Sequence, residues 1–445
     1  MSNKIDRLWA FAILFINGWN WALPVTSEAL PVWFTPVQVV HGVFIHELVL
    51  LIYLGVKVVT GGGYLPIRKH APGNNIACLI IGLGCLGVLS NVANVQPLKE
   101  MGEAGRLFLL AAYFLLSIYW AKKHGPTFVL WSLLLGIASA GVINLYYTFT
   151  IRFMEVGGLP CLLGQKGPGG SMGLMVILSA WLMLERKRTL SAAVAVVLAG
   201  MGVFCASISY SKLAMLMAGF GLIAWGFVIF QAFVDRRSRR LSAVMLIILL
   251  TFAFVNHERI IQYVQSVNTF IFYKFHNITT HNRSIESRSQ YFITVAEIML
   301  RYPLLGVGYG SFYEAVTATE HYKNPQGVIV EENAEGGESG RSNPHNSFLY
   351  YASANGLPGL LLTVLLFLVT LHTLLKAVSL HGLTGKVLWV CLACAYFIYA
   401  NSVPSLFSTA ILYVPAAVAI AITRQSRSDL LLRQCGRAEP IYSKS

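Results

Sequence analysis

Apolar runs of bilayer-crossing length recur along almost the whole chain, and no other feature constrains its fold as strongly. A helical crossing of the hydrocarbon core takes about 20 apolar residues. About twelve such runs occur, at roughly 8–24, 37–59, 75–95, 104–121, 127–149, 170–184, 189–207, 213–233, 241–256, 356–378, 387–403 and 405–423. The shorter runs must extend into their flanks, and Gly and Pro within them are tolerated where neighbouring helices satisfy the backbone. The predicted fold class is an all-α polytopic membrane protein. Of 445 residues, 56% are apolar and only 12% charged, which excludes a globular domain with its own core. The first run, from Leu8, has the look of a signal peptide, but with so many runs after it a retained anchor is expected. No internal repeat is visible.

One long polar interruption, 256–346, divides the chain. The organisation read from it is nine spans in 1–255, a large loop at 256–346, three spans in 347–423 and a tail at 424–445.

The formal charge of +14 points to nucleic acid only if the basic residues cluster on a soluble face. They do not. One set of connections between runs holds 21 of the 33 Lys and Arg residues, among them Arg186, Lys187, Arg188, Arg236, Arg237, Arg239 and Arg240. The opposite short connections hold five: Lys99, Arg106, Arg152, Lys166 and Lys212. The positive-inside rule then puts both termini in the cytoplasm and the 256–346 loop outside. The seven cysteines form no disulfide framework. The Cys391-Leu392-Ala393-Cys394 spacing falls in mid-span, where packing is the ordinary use of such residues.

Inside the loop, 258–275 carries apolar residues at helical spacing and is expected to lie along the membrane surface. A second amphipathic helix, at about 288–301, is expected to open at Arg288. The cluster Tyr302-Pro303-Leu304-Leu305-Gly306-Val307-Gly308-Tyr309-Gly310 ends it in a rigid turn. Residues 324–342, rich in Glu and Gly, read as a mobile acidic flap. Asn343 is expected to cap a short helix with Pro344 at its first position, stopping near Gly356-Leu357-Pro358.

This arrangement puts His345 in the first turn of that short helix. The positive end of the helix dipole disfavours imidazolium, so the histidine tends toward the free base that a general base requires. The plainer alternative is a histidine that only packs or caps. Arg288, Lys212, Arg152 and Arg106 form an external basic set suited to phosphate, since guanidinium groups grip phosphate with two parallel donors. The alternative for each is a snorkelling anchor at headgroup level, the commoner fate of an isolated Lys or Arg there. The three aspartates, Asp6, Asp235 and Asp429, all fall on the cytoplasmic side of this topology. Glu331, Glu332, Glu335 and Glu338 sit in the flap, poorly suited to hold a metal. External chemistry, if present, is expected to need no metal and no other cofactor. Within the spans His41, His46 and Glu47 stand out, with Glu47 in mid-span; one carboxylate is thin provision for ion-coupled transport, and the three read as interhelical hydrogen-bonding groups.

Taken in order, Arg288 and its helix, the Tyr302–Phe312 cluster, Pro344-His345-Asn346-Ser347-Phe348-Leu349 and Gly356-Leu357-Pro358-Gly359 resemble the bacterial O-antigen ligase family. Its relatives are the O-antigen polymerases and the protein O-oligosaccharyltransferases. The layout of about twelve spans with one large late loop is similar too. The resemblance implies a fold of the GT-C glycosyltransferase type in the Gram-negative inner membrane, with a periplasmic active site. It implies an undecaprenyl-pyrophosphate-linked glycan as donor and, for a ligase, a sugar hydroxyl of the lipid A core as acceptor. Surrounding lipid would be the remaining partner, and nucleic acid none. Arg288 matches the family's essential arginine and His345 its essential histidine, with Asn346 and Tyr309 in supporting places. Where the family usually has Ser-Arg, this chain has Ser211-Lys212, which keeps the charge and loses the fork.

That chemistry is consistent with the residues. A departing pyrophosphate needs fixed cations rather than a general acid, which Arg288, Lys212 and Arg152 would supply, and His345 would take the proton of the attacking hydroxyl. Attack opposite the pyrophosphate would invert the anomeric centre. The polymerase and protein-transferase readings share this donor; the twenty-odd residues after Arg424 argue against the last, which often carries a soluble C-terminal region. A reading of another class is a lipid-linked sugar flippase, for which inverted repeats and broken helices would be expected.

Overall fold

The computed structural model describes residues 3–22, 38–40, 43–60, 72–95, 101–147, 166–184, 189–208, 212–234, 283–312, 315, 346–378, 382–401 and 412–423. Among them are twelve helices and one short hairpin. The first elements are α1 (Asn3–Ala22), β1 (Gln38–Val40), β2 (Val43–Phe44), α2 (Ile45–Val59), α3 (Pro72–Ala93), α4 (Met101–His124) and α5 (Pro126–Tyr147). There follow α6 (Lys166–Leu184), α7 (Thr189–Ile208), α8 (Lys212–Val234), α9 (Arg283–Arg301), α10 (Ser347–Val378), α11 (Leu383–Ala400) and α12 (Leu412–Thr423). Among the described residues six stretches are long and apolar enough to cross a membrane: Gly73–Ala93, Met101–His124, Pro126–Ile143, Leu213–Gln231, Ser347–Val378 and Leu383–Ala400. Gly169–Leu184, Ala192–Ala206 and Leu412–Thr423 are apolar but shorter. The chain is a polytopic helical membrane protein.

The centre of the bundle is α6, which packs against α8, α7, α5, α11 and α1 and is buried from Gly169 to Met183. Small residues permit this. A β-carbon added at Gly221 would meet the Val176 side chain, and one at Gly173 would meet Met217 and the Ala214 carbonyl, so α6 and α8 approach backbone to backbone. Trp181 of α6 meets Trp389 of α11 edge to face at 5.0 Å.

Beside this core, α3 lies between α4 and α10, and α10 packs on α11. The two ends of α4 are fastened differently. Near its last turn, the buried Asp6 of α1 takes hydrogen bonds from Lys123 at 2.8 Å and Tyr53 at 2.8 Å. Lys57 stands 3.2 Å from the same carboxylate and His124 3.1 Å. At the first turns of α4, Arg106 donates Nε–H to the buried Glu47 of α2 at 2.9 Å and stands 3.8 Å from Glu103.

Several expectations change. The run 37–59 is not one span: β1 and β2 pair antiparallel and a 15-residue helix follows. Val39-Val40 and Val43-Phe44 flank Gly42, and β-branched and aromatic residues about a glycine suit a hairpin better than a helix. Glu47 consequently sits in the first turn of α2 rather than in mid-span, and its bond to Arg106 joins two helices. The amphipathic helix α9 begins at Arg283, not Arg288; nothing in Arg283-Ser284-Ile285-Glu286-Ser287 breaks a helix, so Arg288 lies in its second turn, past the open amides of its start. The segments 241–256, 258–275 and 324–342, and His41, lie outside the described residues.

Candidate functional site

The loop returns to the bundle through α9. Tyr291, Val295, Ile298 and Met299 of α9 recur at helical spacing and pack with Val307, Phe312, Leu349, Ala352 and Leu360 in an apolar cluster separate from the main core. The helix that carries Arg288 therefore rests on the opening turns of α10.

α10 starts at Ser347, three residues later than its sequence suggests. The Asn346 side-chain oxygen accepts the amides of Phe348 at 2.9 Å and Leu349 at 3.2 Å, while its carbonyl accepts from Tyr350 at 2.9 Å. Asn346 is thus the cap of α10, and Asn343, Pro344 and His345, the expected start, lie outside the described residues. Its side-chain oxygen satisfies two of the amides that a helix start leaves open. Asn346 also donates to the Asn401 side chain at the end of α11, at 3.4 Å.

The expected stop at Gly356 is a kink: φ is +67° there and the helix resumes beyond it. Pro358 is the reason the kink has consequences. It has no N–H to give to the Ala354 carbonyl four residues back, so that oxygen is open to other donors. The Gly308 amide takes it at 2.9 Å and the Ser90 hydroxyl at 2.7 Å. The Val307 amide bonds the Ser353 carbonyl at 2.9 Å, and the Leu357 amide turns to the Pro303 carbonyl at 2.8 Å. A β-carbon at Gly356 would strike that Pro303 carbonyl, and one at Gly306 (φ +62°) would strike Ser353 and Ala354, so both positions need glycine.

Tyr309 is driven into the middle of this joint. Its amide donates to the Asn91 side-chain oxygen at 2.7 Å, and its hydroxyl accepts from Asn355 at 2.9 Å. Its ring stacks on Tyr350 at 5.8 Å and lies where a side chain at Gly87 would have to stand. Burial raises the Tyr309 hydroxyl well above the ordinary phenol range, so it is a neutral hydrogen-bonding group and not a proton shuttle. Ser90 also bonds the Leu305 carbonyl, and Asn94 bonds the Gly306 carbonyl at 3.2 Å. Ser90, Asn91, Asn94 and Asn355 escaped the sequence reading. The signal was there: three polar side chains, in Ser90-Asn91-Val92-Ala93-Asn94, end an otherwise apolar run.

The remaining expected site residues fall as follows. Arg288 is placed on α9 and Lys212 at the first position of α8, with both side chains outside the described part. His345 and Arg152 lie outside the described residues. Arg106 is held by Glu47 and Glu103, so its charge is largely offset where it stands. Among the described residues no three His, Cys, Asp or Glu side chains gather as a metal site would require.

A multi-pass helical bundle with a helical loop locked onto one end defines the class. Residues 200–364 match the family model described as O-antigen ligase. That segment runs from the end of α7 through α8, α9 and the locked turn into α10, and over it the chain is similar to the O-antigen ligase family. Such a family implies work in glycan assembly on a lipid-linked donor and an acceptor. No curated protein matches the chain.

Proposed function

We propose that the protein is an O-antigen ligase: it moves a glycan from undecaprenyl pyrophosphate to a sugar hydroxyl of the lipid A core. The work takes place at the periplasmic face of the inner membrane, with both termini in the cytoplasm. The observation that carries the reading is the family match over 200–364, joined to the packing of Arg288's helix against the start of the helix that follows His345.

The acceptor hydroxyl attacks the anomeric carbon and the bond from that carbon to the pyrophosphate oxygen breaks. His345 takes the hydroxyl proton, and the pyrophosphate leaves as an anion on the lipid. Arg288, with Lys212 and Arg152, stabilises the charge that develops on it. Arg106, already paired, holds α2 to α4 at that end. No metal takes part, and the new linkage has the opposite anomeric configuration.

Purified protein given undecaprenyl-pyrophosphate glycan and rough lipopolysaccharide, with EDTA present, should convert the lipopolysaccharide to a slower band on a gel. Lengthened lipid-linked glycan formed without lipopolysaccharide would make the protein a polymerase. A flippase would leave both substrates chemically unchanged.

A further inference from the structure

We propose that Ser90, Asn91 and Asn94 of α3, with Asn355 of α10, are positioning residues for the transfer reaction: they clamp the 302–312 turn into the kink of α10 and so fix where Arg288's helix stands relative to the helix headed by Asn346. The inference rests on the transfer reading above and adds to it a second region of the chain. Three of the four residues lie ahead of the stretch that matches the family model.

The geometry is that of a three-way joint. The Ser90 hydroxyl stands within hydrogen-bond reach of both the Leu305 and the Ala354 carbonyl, its one proton shared between them, and so touches the turn and the kink together. Asn91 holds the Tyr309 amide, Asn94 the Gly306 carbonyl, and Asn355 the Tyr309 hydroxyl. The turn follows directly on Arg301, the last residue of α9, so a shift of the turn is transmitted to α9. On the other side, the kink closes the short arm of α10 whose first residue follows the Asn346 cap. Both arms of the site thus end in the same joint, and α3 holds that joint from the membrane bundle.

A purely structural role explains these residues less well. Polar side chains at the end of a span are costly to bury unless bonded. Here their side chains reach across to the turn and the kink, although Asn94 also bonds the Ser90 carbonyl of its own helix at 2.8 Å. The bonds are directional and mostly neutral, and such a network specifies position more than it adds stability. Small displacements of positioned groups cost large factors in rate.

The test compares Asn91→Ala, which removes the acceptor for the Tyr309 amide, with Asn91→Asp, which keeps an oxygen there; Ser90→Ala is the milder second variant. Each full-length protein in detergent is measured by amide hydrogen exchange and by transfer kinetics. In Asn91→Ala and Ser90→Ala the amides of 302–312 should exchange about tenfold faster, with those of α4 unchanged. Their kcat should fall about tenfold while KM for the lipid-linked donor stays within about twofold. Asn91→Asp should recover most of the kcat. Unchanged exchange in both alanine variants overturns the clamp. Faster exchange with unchanged kcat overturns its positioning role, as does a loss confined to KM. A wild-type protein that transfers nothing removes the reaction itself, an outcome told apart because the exchange comparison is read without it.

Discussion

At the Lys123 end of α4 a single buried carboxylate, Asp6, gathers Lys57, Lys123, His124 and Tyr53. Toward the other end of the bundle, the turn after α9 is held by Asn, Ser, Tyr and backbone groups. The first fastening is charged and pulls from several directions on one point. It holds α1, α2 and α4 together, and modest shifts of its long side chains would alter it little. The second is neutral, and each bond requires a particular donor to face a particular acceptor. Charge suits an end that needs only to stay closed. Directional bonds suit an end whose parts must stand in one arrangement, as transfer chemistry demands.

Four substitutions sharpen or break that contrast. The largest effect is expected for Arg288→Ala and His345→Ala, which should each lower glycan transfer about 100-fold to 1000-fold with the melting temperature in detergent unchanged; near-normal transfer in either would retire its role. Next, Gly356→Ala sets a methyl group against the Pro303 carbonyl at a φ of +67°. It should cost about 3 kcal/mol, read as a lower melting temperature together with a transfer rate reduced even well below melting. Equal activity per folded molecule would mean that the kink does not set the site. The smallest change in rate is expected for Asp6→Asn. It leaves Lys57 and Lys123 without their anion and should lower stability by roughly 2 kcal/mol, given how far both lysines reach solvent. Its kcat should match wild type in the cold; a tenfold loss there would erase the distinction between the two ends.

Much of this was legible in the sequence, for reasons that differ by element. Long apolar runs such as 75–95 and 104–121 became α3 and α4 because hydrophobic length alone dictates a span. The stripe Tyr291, Val295, Ile298 revealed α9 by its period, although not its start at Arg283. Hydropathy could not see that Val39 to Phe44 favours extended backbone, so 37–59 was read as one helix. Asn343 and Asn346 are both good cap residues by type, and only the contact of the Asn346 side chain with the Phe348 and Leu349 amides marks where α10 begins. The clamp was hidden most thoroughly. Ser90 and Ala354 are 264 positions apart, and no local pattern says that a carbonyl freed by Pro358 will find a hydroxyl on α3.

The proposed transfer chemistry requires Arg288 and His345 to meet at one anion. The most direct measurement is an experimental structure of the full-length protein with an undecaprenyl diphosphate lipid bound. The expected result has the Arg288 guanidinium hydrogen-bonded to the diphosphate, and the His345 imidazole facing the anomeric position in the same cavity, above the Tyr309 joint. A diphosphate bound elsewhere, with those two side chains on separate faces, would contradict it.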